Sequence, residues 1–357
     1  MNTQVEMVRL SDVCDVLRGT VITKNQATSG DVPVVAGGRD AAYFTGSPNR
    51  PARMITVSGS GNAGFVNFWD VPIFASDCST VATKDPDFVE TRFLFHQLKF
   101  MEPRIMAMQQ GAAQKHVYAK DVAKLQIFLP PISEQRRIAA ILDKADEVRS
   151  KRKAVLETLE LLSRAIFIDM FGDPIKNPMG WPLESFGGLT SNEDSLRVPV
   201  KLQDRSNRSG AYPYYGASGI IDYVDDYLFD GERLLIGEDG ANLAVRSSPV
   251  AFIASGKYWV NNHAHVLREN GKSDIRFLER LIEFSDLKPF LSGSAQPKLN
   301  QANLARMMVI CPPIALQRKF AEQVRMTRKT YDSLATAVVA GDCLFTSLQN
   351  NAFQGAL

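Results

Sequence analysis

The chain is written twice, and that repeat constrains its fold more than any other feature. Val32-Pro33-Val34-Val35-Ala36-Gly37-Gly38 answers Tyr212-Pro213-Tyr214-Tyr215-Gly216-Ala217-Ser218. Gly111-Ala112-Ala113-Gln114-Lys115 answers Gly293-Ser294-Ala295-Gln296-Pro297. Ile127-Phe128-Leu129-Pro130-Pro131-Ile132 answers Val309-Ile310-Cys311-Pro312-Pro313-Ile314. Glu134-Gln135-Arg136-Arg137-Ile138 then answers Leu316-Gln317-Arg318-Lys319-Phe320, so the last three matches share an ungapped offset of 182. The openings pair Arg9-Leu10-Ser11-Asp12-Val13 with Pro182-Leu183-Glu184-Ser185-Phe186.

Each copy has two parts. The first is rich in Gly, Pro, Asn and Ser between short β-type runs such as Met54-Ile55-Thr56-Val57 and Leu234-Leu235-Ile236, which read as strands bounded by turns. Helical stretches interrupt them near 90–108 and 273–290, so the fold class is α+β. After Pro130-Pro131 and Pro312-Pro313, Gly and Pro vanish for many residues and a long helix follows, with Ser133 as a candidate N-cap. In the first helix Ile138, Ile141, Ala145, Val148, Arg152, Val155, Leu159, Leu162 and Ile166 alternate steps of three and four. In the second, Phe320, Val324, Thr327, Tyr331, Leu334, Val338, Gly341, Phe345 and Leu348 do the same. Arg152, Thr327 and Gly341 are the weak positions.

A wet seam on an isolated helix is unfavourable, so the two helices are expected to bury their seams against each other as an antiparallel coiled coil. A rod of about 54 Å would separate two repeated globules related by a pseudo-two-fold axis. The boundaries expected are 1–131 for the first globule, 132–172 for the first helix, 173–313 for the second globule, 314–350 for the second helix and 351–357 for a tail.

With 45% apolar and 22% charged residues in 357, the chain has material for sizeable cores. The opening Met1-Asn2-Thr3-Gln4-Val5-Glu6 is not a secretory signal, and no apolar run is long enough to span a membrane. Cys14, Cys78, Cys311 and Cys343 lie far apart without a CxxC pair, which reads as free thiols in the cytoplasm.

Catalytic motifs fail on inspection. Gly59-Ser60-Gly61-Asn62-Ala63-Gly64 matches GxGxxG, but a strand rather than a helix follows, so it reads as a tight turn. His263 and His265 would share one face of a strand without further ligands, so no metal is expected. His96 and His116 have no acid–base partner in sequence. No phosphate loop, no nucleophile elbow and no Asn/Asp-Pro-Pro-aromatic methylation motif is present. No catalytic residue is assigned.

Two similar globules at a fixed distance suit a partner read at two separated places, and duplex DNA fits, with a turn of about 34 Å. The chain resembles the specificity subunit of type I restriction–modification enzymes. The resemblance is carried by the tandem repeat, Leu129-Pro130-Pro131-Ile132-Ser133-Glu134-Gln135-Arg136-Arg137-Ile138-Ala139 with its copy Cys311-Pro312-Pro313-Ile314-Ala315-Leu316-Gln317-Arg318, and Phe167-Ile168-Asp169-Met170-Phe171-Gly172-Asp173-Pro174. It covers essentially the whole chain. It implies two target-recognition domains reading the halves of a bipartite double-stranded DNA target. It also implies helices that dock two modification (methyltransferase) subunits, with restriction (helicase-nuclease) subunits joining. S-adenosylmethionine, ATP and Mg would belong to those partners, leaving this chain non-catalytic and without a cofactor, and no membrane is involved. The alternatives are a scaffold pairing two protein partners without DNA, an enzyme whose site assembles between globule and helix, and a related phage-defence methylation system.

Net charge is +2, and the globules are balanced: thirteen Lys and Arg against twelve Asp and Glu in 1–130, fourteen against sixteen in 181–313. Binding to phosphates therefore has to come from local patches. Candidate DNA contacts are Lys24, Arg39, Arg50, Arg53, Asn62, Lys115, His116 and Tyr118 in the first copy. In the second they are Arg205, Arg208, Tyr215, Asn242, Arg246, Lys298 and Asn300.

Overall fold

A computed structural model describes residues 7–293 and 296–354. The opening hexapeptide, Ser294-Ala295 of the repeated Gly-Ser-Ala-Gln segment, and the last three residues of the tail lie outside the described residues. The chain forms two compact units. One holds residues up to Lys153 and from Thr336 onward; the other is Ala154–Ala335. Among the described residues four helices have ten residues or more: α1 (Thr91–Phe100), α2 (Ile132–Phe171), α3 (Ile275–Phe284) and α4 (Ile314–Phe353). Helix α2 starts at Ile132, so Ser133 sits inside the first turn rather than capping it. Helix α4 runs three residues past the expected end at 350.

The two units repeat one sheet topology. In the first, an antiparallel sheet runs in the order Cys14–Arg18, Cys78–Thr83, Met54–Ser58, Val66–Trp69. In the second, the order is Thr190–Asn192, Ala264–Glu269, Arg233–Gly237, Ala251–Ala254. A smaller sheet in each contains one parallel pairing, Val34 with Phe74 and Tyr214 with Trp259. The central strands are buried on both faces: Met54–Ser58 is wholly buried, Thr56 and Ser58 included, with Ile55 and Val57 packed beneath α1 and Met54 in a second cluster with Val35, Ile73 and Ala75.

The two-stranded ribbon that closes each unit corrects the alignment of the openings. Met7 pairs with Phe128 and Leu183 with Ile310. Leu10 N–H donates to Leu125 O, and Phe186 N–H to Met307 O. Leu10 therefore matches Phe186, an offset of 176 rather than 173.

Each long helix is divided between the units, and within each unit the segments run antiparallel. In the first, Arg152 Nη1 donates to Ala337 O at 3.3 Å, Lys153 Nζ lies 3.1 Å from Asp342, and Arg149 lies 4.4 Å over the Phe345 ring. Ile138 and Leu142 pack with Phe345 and Ala352 and with Phe93 and Phe128 of the globule. In the second, Phe320 stands 5.5 Å from both Phe167 and Phe171.

The seam of α4 runs along Phe320, Val324, Thr327, Tyr331, Leu334, Val338, Gly341, Phe345 and Leu348, each buried or half-buried. The seam of α2 differs from the sequence reading by one residue at every second position. Val148, Val155 and Leu162 are exposed at 38%, 48% and 45%. Leu142 is buried and Ile141 only half-buried, and the inward positions that follow are Arg149, Leu156 and Ser163. Residues 138, 142, 145, 149, 152, 156, 159, 163 and 166 still alternate by four and three. Hydrophobicity favours the other phase because Arg149 and Ser163 are polar. Arg149 is nonetheless satisfied, with its guanidinium stacked over Phe345 and paired with Asp146 and Asp342. Two of the weak positions meet: Arg152 packs against Gly341.

Candidate nucleic-acid interface

Three loops of the first unit are tied together by backbone. The turn after Met54–Ser58 leads into the strand Val66–Trp69, as the failed GxGxxG reading expects, with Gly61 and Gly64 at φ +62° and +92°. Asn62 N–H donates to Gly37 O at 2.9 Å, Val117 N–H to Gly59 O at 3.0 Å, and Gln109 Nε2 to Ala63 O at 2.8 Å. This wiring gathers five of the candidate residues. Arg39, Asn62, Lys115 and Tyr118 are exposed and His116 is half-buried. The His116 and Tyr118 rings stack at 6.0 Å, and Arg39 lies 5.5 Å from the Phe65 ring centre. Arg18, which nothing in its sequence context singles out, lines the same small cleft as His116 and Tyr118.

The other candidates of the first copy stand apart from this cluster. Lys24 is exposed on a short 3-10 turn. Arg53 bonds Glu90 at 3.1 Å at the far end of the Met54–Ser58 strand. Arg50 is spent inside the unit: its guanidinium donates to Thr80 Oγ1, Asn49 O and Arg18 O.

The second unit repeats the loop wiring. Leu299 N–H donates to Glu238 O at 2.8 Å and Gly240 N–H to Pro297 O at 3.1 Å. Ser292 and Lys298 bridge as Gln110 and His116 do, so Lys298 occupies the place of His116. Its Nζ lies 3.1 Å from Glu238.

Most other candidates of this copy have intramolecular roles. Arg246 donates to Ile282 O, Glu283 O and Ser285 O, capping the C-terminus of α3. Asn242 closes its own loop onto Ser248 through both amide atoms. Asn300 caps the short helix Gln301–Ala305 by accepting from Asn303 N–H. Arg205 pairs with Asp222 at 3.0 Å and covers Tyr214; Arg208 pairs with Asp225 at 2.9 Å and covers Trp259. Tyr215 is half-buried, with its ring against Phe252 and Tyr258.

The two histidines expected on one face separate. His263 precedes the strand and pairs with Asp239 at 2.8 Å on the surface. His265 is buried, with Nδ1 2.6 Å from Asp194 and Nε2 2.7 Å from Leu299 O. Asp194, Glu238 and His265 bring ligand atoms within 4.8 Å of one another. That set does not fit a cation. Both nitrogens of His265 already face acceptors, and Arg197 and Lys298 neutralise Glu238 at 2.8 and 3.1 Å. Burial pushes the Asp194 carboxyl up, but hydrogen bonding to His265 and to the Val266 N–H outweighs it and holds the group below the usual carboxylate range. The network instead anchors the Glu238 loop to the core. Arg197 and Asp194 escape a sequence reading because their partners lie more than forty residues away.

These features define a class: a duplicated protein whose two units present the same loop cluster on the same scaffold. The profile of the type I restriction modification DNA specificity domain matches residues 2–160 and 197–329. A type I restriction enzyme specificity subunit of Haemophilus influenzae is 36% identical over 141 residues, 40% of this chain and 35% of that protein. A type I specificity subunit of Mycoplasma pneumoniae is 22% identical over 331 residues, 89% of this chain and 88% of its own length. The crystal structure of a type I restriction–modification system S subunit from M. genitalium superposes with a TM-score of 0.77 at 18% identity, covering 99% of this chain and 97% of that one. The chain belongs to the type I restriction–modification DNA specificity family, and its two matched segments fit a bipartite target. Among the described residues no helix is long and apolar enough to cross a membrane.

Proposed function

We propose that each unit reads one half of a bipartite duplex DNA sequence through its loop cluster, and that the paired long helices hold two methyltransferase subunits, with helicase-nuclease subunits joining the complex. The observation that carries this is the shared wiring of the loops. Gln110–His116 and Ser292–Lys298 form the same bridge, and each unit stands on one sheet topology. Arg39, Asn62, Lys115, His116 and Tyr118 are the contacts of the first half, and Lys298 of the second. The chain itself performs no chemistry and holds no cofactor; S-adenosylmethionine, ATP and Mg are used by the partner subunits, in the cytoplasm. The exposed Val148, Val155 and Leu162 lie at heptad spacing on the outer face of α2 and supply apolar surface for those subunits.

The test is methylome sequencing of the native host with and without this gene, alongside co-purification of the chain with its methyltransferase. Loss of one bipartite methylated motif supports the reading. An unchanged methylome while the co-purified complex still methylates DNA refutes it. Exchange of 181–313 for another such domain is expected to alter one half of the motif; a change in both halves rejects independent reading.

A further inference from the structure

We propose that the second unit carries an oxyanion cleft, separate from the recognition loops, that binds phosphoryl groups. The cleft holds about 450 Å³ between α3, α4 and the outer edge of the sheet, a volume suited to a small ligand. Five cations line it: Arg276, Arg280, Arg325, Arg328 and Lys329. Two of them are paired, Arg276 with Glu232 and Arg328 with Asp332 at 2.9 Å. Arg280, Arg325 and Lys329 have no ion-pair partner among the described residues. The remaining acid lining the cleft is Glu279, so the five cations still outnumber the three carboxylates, Glu232, Glu279 and Asp332.

Two buried donors are also unmet. Arg280 Nε makes no hydrogen bond, and neither does the hydroxyl of Ser163, which is buried in an adjoining cavity of about 310 Å³ that shares Arg280 and Arg328. Buried polar atoms without partners are uncommon in folded proteins. A ligand rich in acceptors satisfies Arg280 Nε, and the excess of cations selects one with more than a single charge. The cleft does not belong to the recognition loops: Glu232 precedes the strand Arg233–Gly237 and the Glu238 loop follows it, roughly 15 Å further on.

Calorimetric titration of the full chain with pyrophosphate at constant ionic strength tests the assignment. Saturable binding of one pyrophosphate per chain is expected. Arg280→Gln and the double variant Arg325→Gln/Lys329→Gln, the latter on the exposed face of α4, are expected to bind roughly tenfold more weakly or worse. Arg318→Gln, an exposed cation of α4 outside the cleft, is expected to bind as the parent does. Absence of saturable heat, unchanged affinity in both cleft variants of parental melting temperature, or an equal loss with Arg318→Gln overturns the proposal. Competition then identifies the source. Displacement by ATP points to a free nucleotide, and displacement by a duplex of unrelated sequence to a nucleic-acid backbone. Displacement by neither restricts the cleft to a small phosphoryl anion.

Discussion

The carboxamide of Gln317 donates to the carbonyl of Pro312 at 2.7 Å, and its oxygen accepts from Ser273 Oγ and the Asp274 N–H. Gln135 does the same in the first copy. It donates to Pro130 O at 2.8 Å and Phe88 O at 3.0 Å, and accepts from Glu90 N–H at 2.8 Å. Glu90 and Asp274 are the N-caps of α1 and α3. One buried glutamine per copy thus clamps the start of a long helix to the start of the globule's main helix. The recurring Pro-Pro-to-Gln-Arg junction has a structural reason.

Gln317→Ala is therefore expected to leave the Pro312 carbonyl and the Asp274 N–H buried without partners, a cost on the order of 3 kcal/mol. Hydrogen exchange across Ser273–Phe277 reads the effect locally. Arg318→Ala next door, on the exposed face, is expected to leave exchange there unchanged. Equal protection in the parent and Gln317→Ala would refute the clamp.

The phase of the α2 seam gives a second prediction. Leu142 is fully buried and Val148 is exposed. Leu142→Asp buries an unpaired charge and is expected to collapse the first unit's melting transition, whereas Val148→Asp is expected to keep it and to weaken capture of the methyltransferase subunit. The opposite ranking would restore the phase read from hydrophobicity alone. Leu159→Asp, at a position common to both phases, is expected to disrupt the second unit and does not discriminate.

What could be read in advance follows from the range of the interactions. The repeat, the two long helices and the antiparallel sense of their pairing rest on patterns contained in one stretch of chain. The one-residue slip at Val148, Val155 and Leu162 did not show, because each has an inward neighbour whose fitness depends on a residue about two hundred positions away: Arg149 is welcome only where Phe345 and Asp342 stand. Arg246 and Asn300 looked like free donors in turns. A cation in a turn and a cation capping another helix have the same sequence signature, and only the position of Ile282, Glu283 and Ser285 separates them. The loop cluster at Asn62 and His116 was named by composition, while the bonds that gather it run through Gly37, Gly59 and Ala63 backbone, which no side-chain motif encodes.

Acid should loosen the first unit at a defined place. Asp143 holds Arg92 and His96 against α2. Burial raises its carboxyl, but the bonds from Arg92 and His96 together exceed that and its pKa lies below the ordinary value of about 3.9. A depressed acid stabilises above its unfolded pKa and loses that contribution as pH falls through the folded one. His96 is lowered by burial, against the pull of Asp143, so its neutral form is favoured. Stability should therefore already decline as pH drops below about 6.5, and again below about 4. His96→Gln is expected to remove the first step and Asp143→Asn the second, measured as melting temperature against pH. A profile unchanged in both variants would exclude this latch.

The thiols should sort by burial. Cys14 and Cys78 are buried, and that burial pushes each thiol up to about 12, so almost no thiolate exists near neutrality. Cys343 is exposed on α4. Native labelling with a maleimide followed by peptide mass spectrometry is expected to find Cys343 first and to spare Cys14 and Cys78 until denaturant is added. Comparable early labelling of Cys78 would show that its sheet opens readily in the native state.

The recognition loops offer the sharpest comparison between copies. Lys115 is exposed on the first cluster, and His116 and Tyr118 beside it form a stacked pair. If Lys115 meets a phosphate, Lys115→Ala in the assembled methyltransferase should weaken binding evenly across sequences and lower the magnitude of the salt slope by about 1. If His116 or Tyr118 meets base edges, alanine there should relax the first half of the methylated motif and leave the second intact. In the second unit Lys298 stands at the place of His116 but is held by Glu238. Lys298→Ala should therefore act on the other half alone, and Glu238→Gln, which frees the ammonium, should tighten non-specific binding while loosening the choice of bases. Methylation of half-site variant libraries measures the changes in base choice, and salt titration of binding measures those in affinity. A relaxation that crosses from one half to the other would contradict the separate wiring of the two loop clusters.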